Sequence, residues 1–128
     1  KYVTEFFYLF EQIYLCAHEE IRDDNHYLFY NFGNNARRFL EMFLAYKYPD
    51  KEEEGQYKAF FGDKSGTIGA ILHDRLHNEK SHLKGVFEGA LQVPVFAEIQ
   101  VAANSILEAM KQKNEEQYLS YKNEVMTK

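Results

Sequence analysis

The chain has 128 residues, of which 45% are hydrophobic and 16% aromatic, and it carries a net charge of −5. This length predicts one domain with a single modest core, and the composition excludes a disordered tail. The acidic balance excludes a broad basic footprint for nucleic acid, although a few Arg side chains can still line a local cleft.

The first helix is predicted over residues 2–21. Apolar residues recur there at helical spacing and form a stripe that faces a core: Phe6, Phe10, Ile13 and Ala17. Residues 22–25 are polar and are expected to form an exposed turn. Cys16, the single cysteine, falls within the apolar run. It is therefore expected to be buried, and its isolation suits a reducing, cytoplasmic location.

A second helical segment is predicted over residues 27–48. Gly33 weakens its beginning, so that Asn34 or Asn35 is expected to cap a new helix. Pro49 is expected to end that helix.

The acidic residues 50–55 are expected to be a linker, and residues 63–67 a turn. They lead into a third helix, predicted over residues 68–82. Residues 83–93 contain two glycines and are expected to form a loop with one irregular turn.

A late helix is predicted over residues 95–112, with Pro94 in its first turn. Asn114 and Gln117 are expected to cap a final helix that runs to about residue 125. On the late helix, an inward face is expected at Ile99, Ala103, Ile106, Leu107 and Met110, and a water-facing side at Gln100, Asn104, Glu108 and Lys111. No β-type alternation and no apolar run of membrane-spanning length occur, so the prediction is an all-α, antiparallel bundle of four or five helices.

Candidate chemistry is concentrated in residues 75–82, RLHNEKSH. In a helix, Arg75 and His82 are about two turns apart and share one face, with Asn78 between them. RNA cleavage without a metal needs proton transfer and a cation near the phosphoryl oxygens. His82 suits the first task and Arg75 the second, while Asn78 can orient His82 or bind the phosphate. Spacing alone favours the plainer alternative, a solvated helix face with a salt bridge.

A second set of charged residues, Arg37, Arg38 and Glu41, lies on the edge of the preceding helix. The plain interpretation is a surface ion pair between residues three or four apart, worth a few tenths of a kcal/mol. Their position beside a dense apolar stripe favours a cleft instead.

His73 and His77 have the spacing of helical zinc ligands, but no cysteine is near them. No metal site is predicted. No Gly-rich phosphate loop occurs either, so this chain is expected to bind no cofactor itself. ATP and Mg²⁺ are expected only in a separate ATPase domain.

Two motifs together, NNARRFLEMFLAYKYPD at 34–50 and DRLHNEKSHL at 74–83, resemble the C-terminal region of RloC-like and PrrC-like proteins. These are large ABC-type ATPases whose terminal domain is an anticodon nuclease. That region is in turn similar to the HEPN superfamily, small all-α domains that often act as metal-independent RNases and usually dimerise. The resemblance spans most of the chain.

The resemblance implies a catalytic set of an Arg and a Glu four residues apart with a later His. Matched to this sequence, the catalytic residues are Arg37, Glu41 and His82, joined by Arg75, and the substrate-binding residues are Asn78 and Arg38. His73 also follows Glu41 and is a second candidate for the histidine. The chain, residues 1–128, is then a single HEPN-like domain from the C-terminal end of a larger ABC-type ATPase, with a homodimer partner, an N-terminal ATPase domain and no membrane.

The expected function is a metal-independent endoribonuclease within an ATP-regulated bacterial defence or toxin protein. Its expected substrate is RNA, and in particular a tRNA anticodon loop. In-line attack of a ribose 2′-hydroxyl on the neighbouring phosphodiester would leave a 2′,3′-cyclic phosphate. The alternative is a non-catalytic helical module for dimerisation or for docking on an ABC-type ATPase. Nucleotide binding without cleavage is a third hypothesis that the same Arg and His support.

Overall fold

The structure, a computed structural model, describes residues 4–76 and 93–127, with side chains described for 4–73 and 96–127. The elements in these ranges are α1 (Glu5–His18), α2 (His26–Tyr30), α3 (Phe32–Lys47), α4 (Glu53–Phe61), α5 (Ser65–Gly69), a π-helix (Ala70–Leu76), α6 (Val93–Lys113) and α7 (Glu115–Met126). A 3₁₀ turn, Gly62–Lys64, joins α4 to α5. The predicted all-α bundle is confirmed.

The core is built around α1, which packs against both α3 and α6. Its largest fully buried side chains are aromatic: Phe10, Phe29, Phe32, Phe39 and Phe60. The ring of Phe39 lies 4.8 Å from that of Phe6 and 5.6 Å from that of Phe43. Because each buried Phe contributes about 1.5–3 kcal/mol, this aromatic stack is a main source of the fold's stability.

Helix α1 is shorter than the predicted range at both ends. Thr4 caps it, since its hydroxyl accepts a hydrogen bond of 3.1 Å from the backbone N–H of Phe7. At the other end, Nε2 of Gln100 on α6 donates to the carbonyl oxygens of Cys16 and Glu19, at 3.3 Å each. The prediction that Gln100 faces water was wrong. Its amide satisfies carbonyl groups that the end of α1 leaves without partners.

Helix α3 begins earlier than predicted. Asn31, and neither Asn34 nor Asn35, occupies the N-cap, and Gly33 lies buried in the first turn. Tertiary burial overrides the low helix propensity of Gly and Asn here. The helix ends at Lys47, before Pro49, as predicted.

The predicted acidic linker is shorter than expected because α4 begins at Glu53. Glu53 and Glu54 fill its first turn, where their charges favour the positive end of the helix dipole. Gly62 ends α4 with φ 62°, a conformation that glycine adopts without strain. The third predicted helix begins at Ser65 and becomes a π-helix at Ala70. The rest of it, and the predicted loop after it, lie outside the described residues.

The late helices agree with the prediction. Pro94 occupies the first turn of α6, and the five residues predicted to face inward are buried. Asn114 is the N-cap of α7, but its side chain makes no capping hydrogen bond. Within the described ranges, no helix is long and apolar enough to cross a membrane.

Candidate functional site

The π-helix, which includes residues 74–76 at the start of the second sequence motif, packs against α3, which carries the first motif. Helix α3 carries Arg37 and Glu41, and the backbone of Arg75 belongs to the π-helix. A π-helical turn is rare, and single turns of this kind are frequent at functional sites. The side chain of Arg75, together with Asn78 and His82, lies outside the described residues.

Arg37 is half-buried and is bonded to neutral oxygens. Its Nη1 donates to the carbonyl of Gly33 at 3.3 Å, and its Nη2 donates to Oδ1 of Asn34 at 3.4 Å. Desolvation lowers the pKa of Arg37, while the nearby Glu41 and Glu53 act in the opposite direction. A guanidinium stays charged in any such setting. Within the described residues no carboxylate forms a direct ion pair with it, so this charge is available to an anion.

Arg38 points elsewhere. Its guanidinium forms an ion pair with Glu5 on α1, and both side chains are about half exposed. Successive residues of a helix are about 100° apart around its axis, which separates Arg38 from the side of α3 that carries Arg37. The structure thus groups Arg37 with Glu41 and directs Arg38 towards α1.

Helix α4 contributes two further residues, Glu53 and Tyr57. Tyr57 is buried, and desolvation, followed by the charge of Glu53, raises the pKa of its phenol. Glu41 and Arg37 also act on this phenol electrostatically, so α3 and α4 face each other here.

His73 on the π-helix completes the arrangement. Its Nε2 lies 3.6 Å from Oε2 of Glu53, and its ring centroid lies 5.8 Å from that of Tyr57. We call Arg37, Glu41, Glu53, Tyr57 and His73 the polar cluster. It combines a guanidinium, carboxylates, a phenol and an imidazole, which is a set able to bind an anion and transfer a proton.

Sequence reasoning named Arg37 and Glu41 as catalytic and kept His73 as an alternative histidine, but it missed Glu53 and Tyr57. Glu53 was assigned to the acidic linker, and Tyr57 was given no part in a site. Their spacing of four residues was the available signal, because it places both on one face of a helix. A spacing of four residues indicates a shared face only in a helix, and the sequence alone did not predict a helix over residues 53–61.

A groove lies beside the polar cluster, between α4 and the α5–π-helix segment. Its volume is about 350 Å³, at the small end of the range typical of small-molecule sites. It is lined by Glu53, Glu54, Tyr57, Ser65, Gly66, Gly69, Ala70 and His73. The lining combines carboxylates, two rings and a hydroxyl with residues that have little or no side chain.

The remaining described histidines and the cysteine lie in local structural settings. Nδ1 of His18 is 2.9 Å from the carbonyl oxygen of Tyr14, and Nδ1 of His26 is 2.8 Å from that of Asp23. Desolvation raises the pKa of Cys16 to about 12, which disfavours the thiolate. In the ranges 4–76 and 93–127 no three potential ligands are grouped closely enough to hold a metal ion.

Comparison with known protein families shows the family to which the chain belongs. A profile of the AAA domain family matches residues 1–108. The chain belongs to the AAA domain family. The matched range of this AAA domain family member includes every residue of the polar cluster, and the membership relates the chain to ATPases. No curated protein and no solved structure matches the chain.

Proposed function

We propose that this chain is a metal-independent endoribonuclease domain of the HEPN type, within an ATP-regulated bacterial defence or toxin protein. Its substrate is RNA, with the anticodon loop of a tRNA as the preferred target. The observation that carries the proposal is the meeting of α3, α4 and the π-helix. It brings Arg37 and Glu41 close to Tyr57 on α4, and the same helix holds Glu53 beside His73.

The chemistry is an in-line displacement at one phosphodiester. The ribose 2′-oxygen forms a new bond to phosphorus and the bond to the 5′-oxygen breaks, which leaves a 2′,3′-cyclic phosphate and a 5′-hydroxyl. His73 accepts the proton of the 2′-hydroxyl, because imidazole is the side chain suited to proton transfer near neutral pH. His82 supplies the proton that the leaving 5′-oxygen requires.

Arg37 stabilises the negative charge that grows on the phosphoryl oxygens. Its hydrogen bonds to neutral oxygens are long, 3.3 and 3.4 Å, and a phosphate can replace them with shorter, charge-assisted ones. Arg75 is the second cation of the site, and Asn78 orients His82. Glu41, one turn after Arg37, acts on the guanidinium through its charge, and Arg38 acts in RNA binding outside the cluster.

The experiment is a cleavage assay of the 128-residue chain with total tRNA in EDTA. Cleavage should continue in EDTA and leave cyclic phosphate ends. The His73→Ala and His82→Ala variants should each slow it about 10²–10⁴-fold, the usual contribution of a positioned acid or base. His26→Ala, at the exposed start of α2, is the matched control and should cleave normally. Unchanged cleavage in both test variants would contradict the proposal.

A second candidate function is a non-catalytic module for dimerisation or for docking on the ATPase. It is favoured by Met42 and Tyr46, which lie one turn apart on α3 and are 41% and 89% exposed. Neighbouring exposed apolar side chains of this kind suit a protein partner. Sedimentation of a Met42→Glu, Tyr46→Glu double variant tests this function. The second candidate is favoured if the double variant no longer dimerises and the native chain cleaves no RNA.

A further inference from the structure

We propose that the groove beside the polar cluster is a nucleobase site selective for guanine, with Glu54 as its specificity-determining residue. This inference rests on the proposed ribonuclease function, because it names the base that lies next to the cleaved phosphodiester. It concerns recognition of the base and not the chemistry of the cut.

The shape of the groove suits a flat ring. Gly66, Gly69 and Ala70 supply lining with little or no side chain, so a ligand can approach the backbone of α5 and the π-helix closely. The rings of Tyr57 and His73, 5.8 Å apart, supply an aromatic part of the lining. Proteins that recognise unpaired bases use aromatic side chains in this way.

The two carboxylates that line the groove differ in whether they have an ion-pair partner. Oε2 of Glu53 lies 3.6 Å from His73, whereas Glu54 forms no ion pair with any residue that the structure describes. Glu54 is exposed and lines the groove from the first turn of α4. It is therefore the carboxylate that a ligand can use without breaking an existing contact.

A carboxylate distinguishes the bases by their donors. Guanine presents N1–H and the 2-amino group side by side, and a carboxylate accepts both in parallel. Uracil presents a single N3–H between two carbonyl oxygens, which a carboxylate repels. The hydroxyl of Ser65 in the same lining can donate to O6 of guanine. Guanine therefore fits this set of groups better than uracil does.

Tyr57 gives a second, independent indication of a ligand. It is only 7% exposed and lines the groove, yet its hydroxyl forms no hydrogen bond with the residues of 4–73 and 96–127. The phenol oxygen itself keeps some contact with solvent, so a ligand in the groove can reach it and form the hydrogen bond that these residues do not supply. A bound base or its ribose supplies the missing partner.

The distribution of charge sets the orientation of the nucleotide. The groove contains two carboxylates and repels a phosphate, while Arg37 on the adjoining α3 attracts one. A nucleotide satisfies both requirements when its base enters the groove and its phosphate lies near Arg37. A Lys or Arg side chain from a protein partner would also suit the carboxylates, but it would be repelled by Arg37. These charges favour a nucleotide over a cationic peptide.

The experiment is calorimetric titration of the whole 128-residue chain with three probes: guanosine, inosine and uridine 3′-monophosphates. Inosine differs from guanosine only by the absence of the 2-amino group. Its binding should be about tenfold weaker, because one hydrogen bond to a charged acceptor is lost. Uridine should bind more weakly still. Equal affinities for the three probes would overturn the proposal.

Two pairs of variants locate the site. Glu54→Gln should abolish the preference for guanosine over inosine, and Glu52→Gln, which does not line the groove, should retain it. Gly66→Leu should block the groove, since a Cβ at Gly66 meets no other atom within 4 Å and the fold tolerates it. We expect at least tenfold weaker binding from Gly66→Leu and no change from Thr67→Leu beside it. Guanosine binding unaffected by Gly66→Leu would place the ligand elsewhere and overturn the site.

Binding is measured without cleavage, so the two proposals can fail separately. If RNA is cut and guanosine monophosphate does not bind, the guanine site is wrong and the ribonuclease function stands. If guanosine monophosphate binds with the expected preference and no RNA is cut, the function is wrong and the base site stands. If a lysine-rich peptide binds in a Gly66-dependent manner and none of the nucleotides does, the groove serves a protein partner and the guanine site is overturned.

Discussion

Nε2 of His73 lies 3.6 Å from Oε2 of Glu53, and this contact joins the π-helix to the first turn of α4. The side chains are 36% and 60% exposed, so the pair adds about 1 kcal/mol at most to the stability of the fold. Its larger effect is on orientation, because it restrains an imidazole that lies with Arg37 and Glu41 in the polar cluster.

Glu53→Gln should therefore separate stability from activity. We expect the free energy of unfolding in urea to change by less than about 1 kcal/mol. The rate of tRNA cleavage should fall on the order of tenfold, a fraction of what a positioned acid or base contributes. Glu52→Gln, one residue earlier, is the matched control. A large loss of stability in Glu53→Gln would show that the contact between Glu53 and His73 stabilises the fold and does not mainly orient the imidazole.

Arg37→Ala should slow RNA cleavage about 100-fold or more, because one preorganised donor to a developing oxyanion is typically worth that much. Arg22→Ala is the control, since Arg22 is exposed and already paired with Glu19 and Asp24. Single-turnover cleavage rates of the two variants make the comparison. If both substitutions slow cleavage equally, the rate depends only on the net charge of the protein and not on the position of Arg37.

Phe39→Ala should cost about 3–5 kcal/mol of unfolding free energy, because it leaves a cavity in the aromatic stack formed with Phe6 and Phe43. Tyr46→Ala on the same helix removes a ring that is 89% exposed and should cost less than about 0.5 kcal/mol. Urea denaturation followed by circular dichroism measures both. A similar loss in the two variants would contradict the assignment of the core.

Gln100→Ala should cost about 1 kcal/mol, because two carbonyl oxygens at the end of α1 lose their donor. Asn104→Ala is the control on the next turn of α6, where the side chain is exposed and, among the residues that the structure describes, bonds only to the carbonyl of Gln100. Its cost should be smaller, about 0.5 kcal/mol at most. The reverse order would mean that α6 does not cap α1.

Cys16 should make stability fall at high pH. Burial raises the pKa of its thiol from 9.0 to about 12, so the folded chain keeps a proton that the unfolded chain releases. The contribution is complete below about pH 9 and is lost as pH rises towards 12, with a slope of at most about 1.4 kcal/mol per pH unit. Urea unfolding at pH 8 and pH 10 should therefore show a larger decrease for the native chain than for Cys16→Ala. Equal decreases would contradict this account.

The helices of the bundle were predictable where an apolar stripe runs through a whole segment. Helices α1 and α6 have such stripes. The residues of α6 predicted to face inward are buried. On α1, Phe10 and Ile13 are buried, while Phe6 and Ala17 are half-buried against the core. The ends were less predictable. Asn31 replaces Asn34 or Asn35 as the cap of α3, because packing pulls Gly33 into a buried first turn. Local propensity is a weak preference that tertiary contacts readily override.

The candidate site was predictable in part. Arg37 and Glu41 share a side of α3 as their spacing implies, and both act electrostatically on Tyr57. Glu53 and Tyr57 were missed, because their part in the cluster depends on α4 meeting α3 and the π-helix. The predicted roles of Arg75, Asn78 and His82 stay predictions.

The sequence by itself determined an all-α domain, since periodic apolar stripes bury their area only when helices pack together. It also determined which side chains could carry the chemistry, because residue type and helical spacing are local properties. Only the tertiary structure decided which of them meet. It joined His73 to Glu53, directed Arg38 towards α1 and formed the groove beside Tyr57. Those outcomes depend on contacts between segments distant in the chain, and no local pattern encodes the relative placement of two helices.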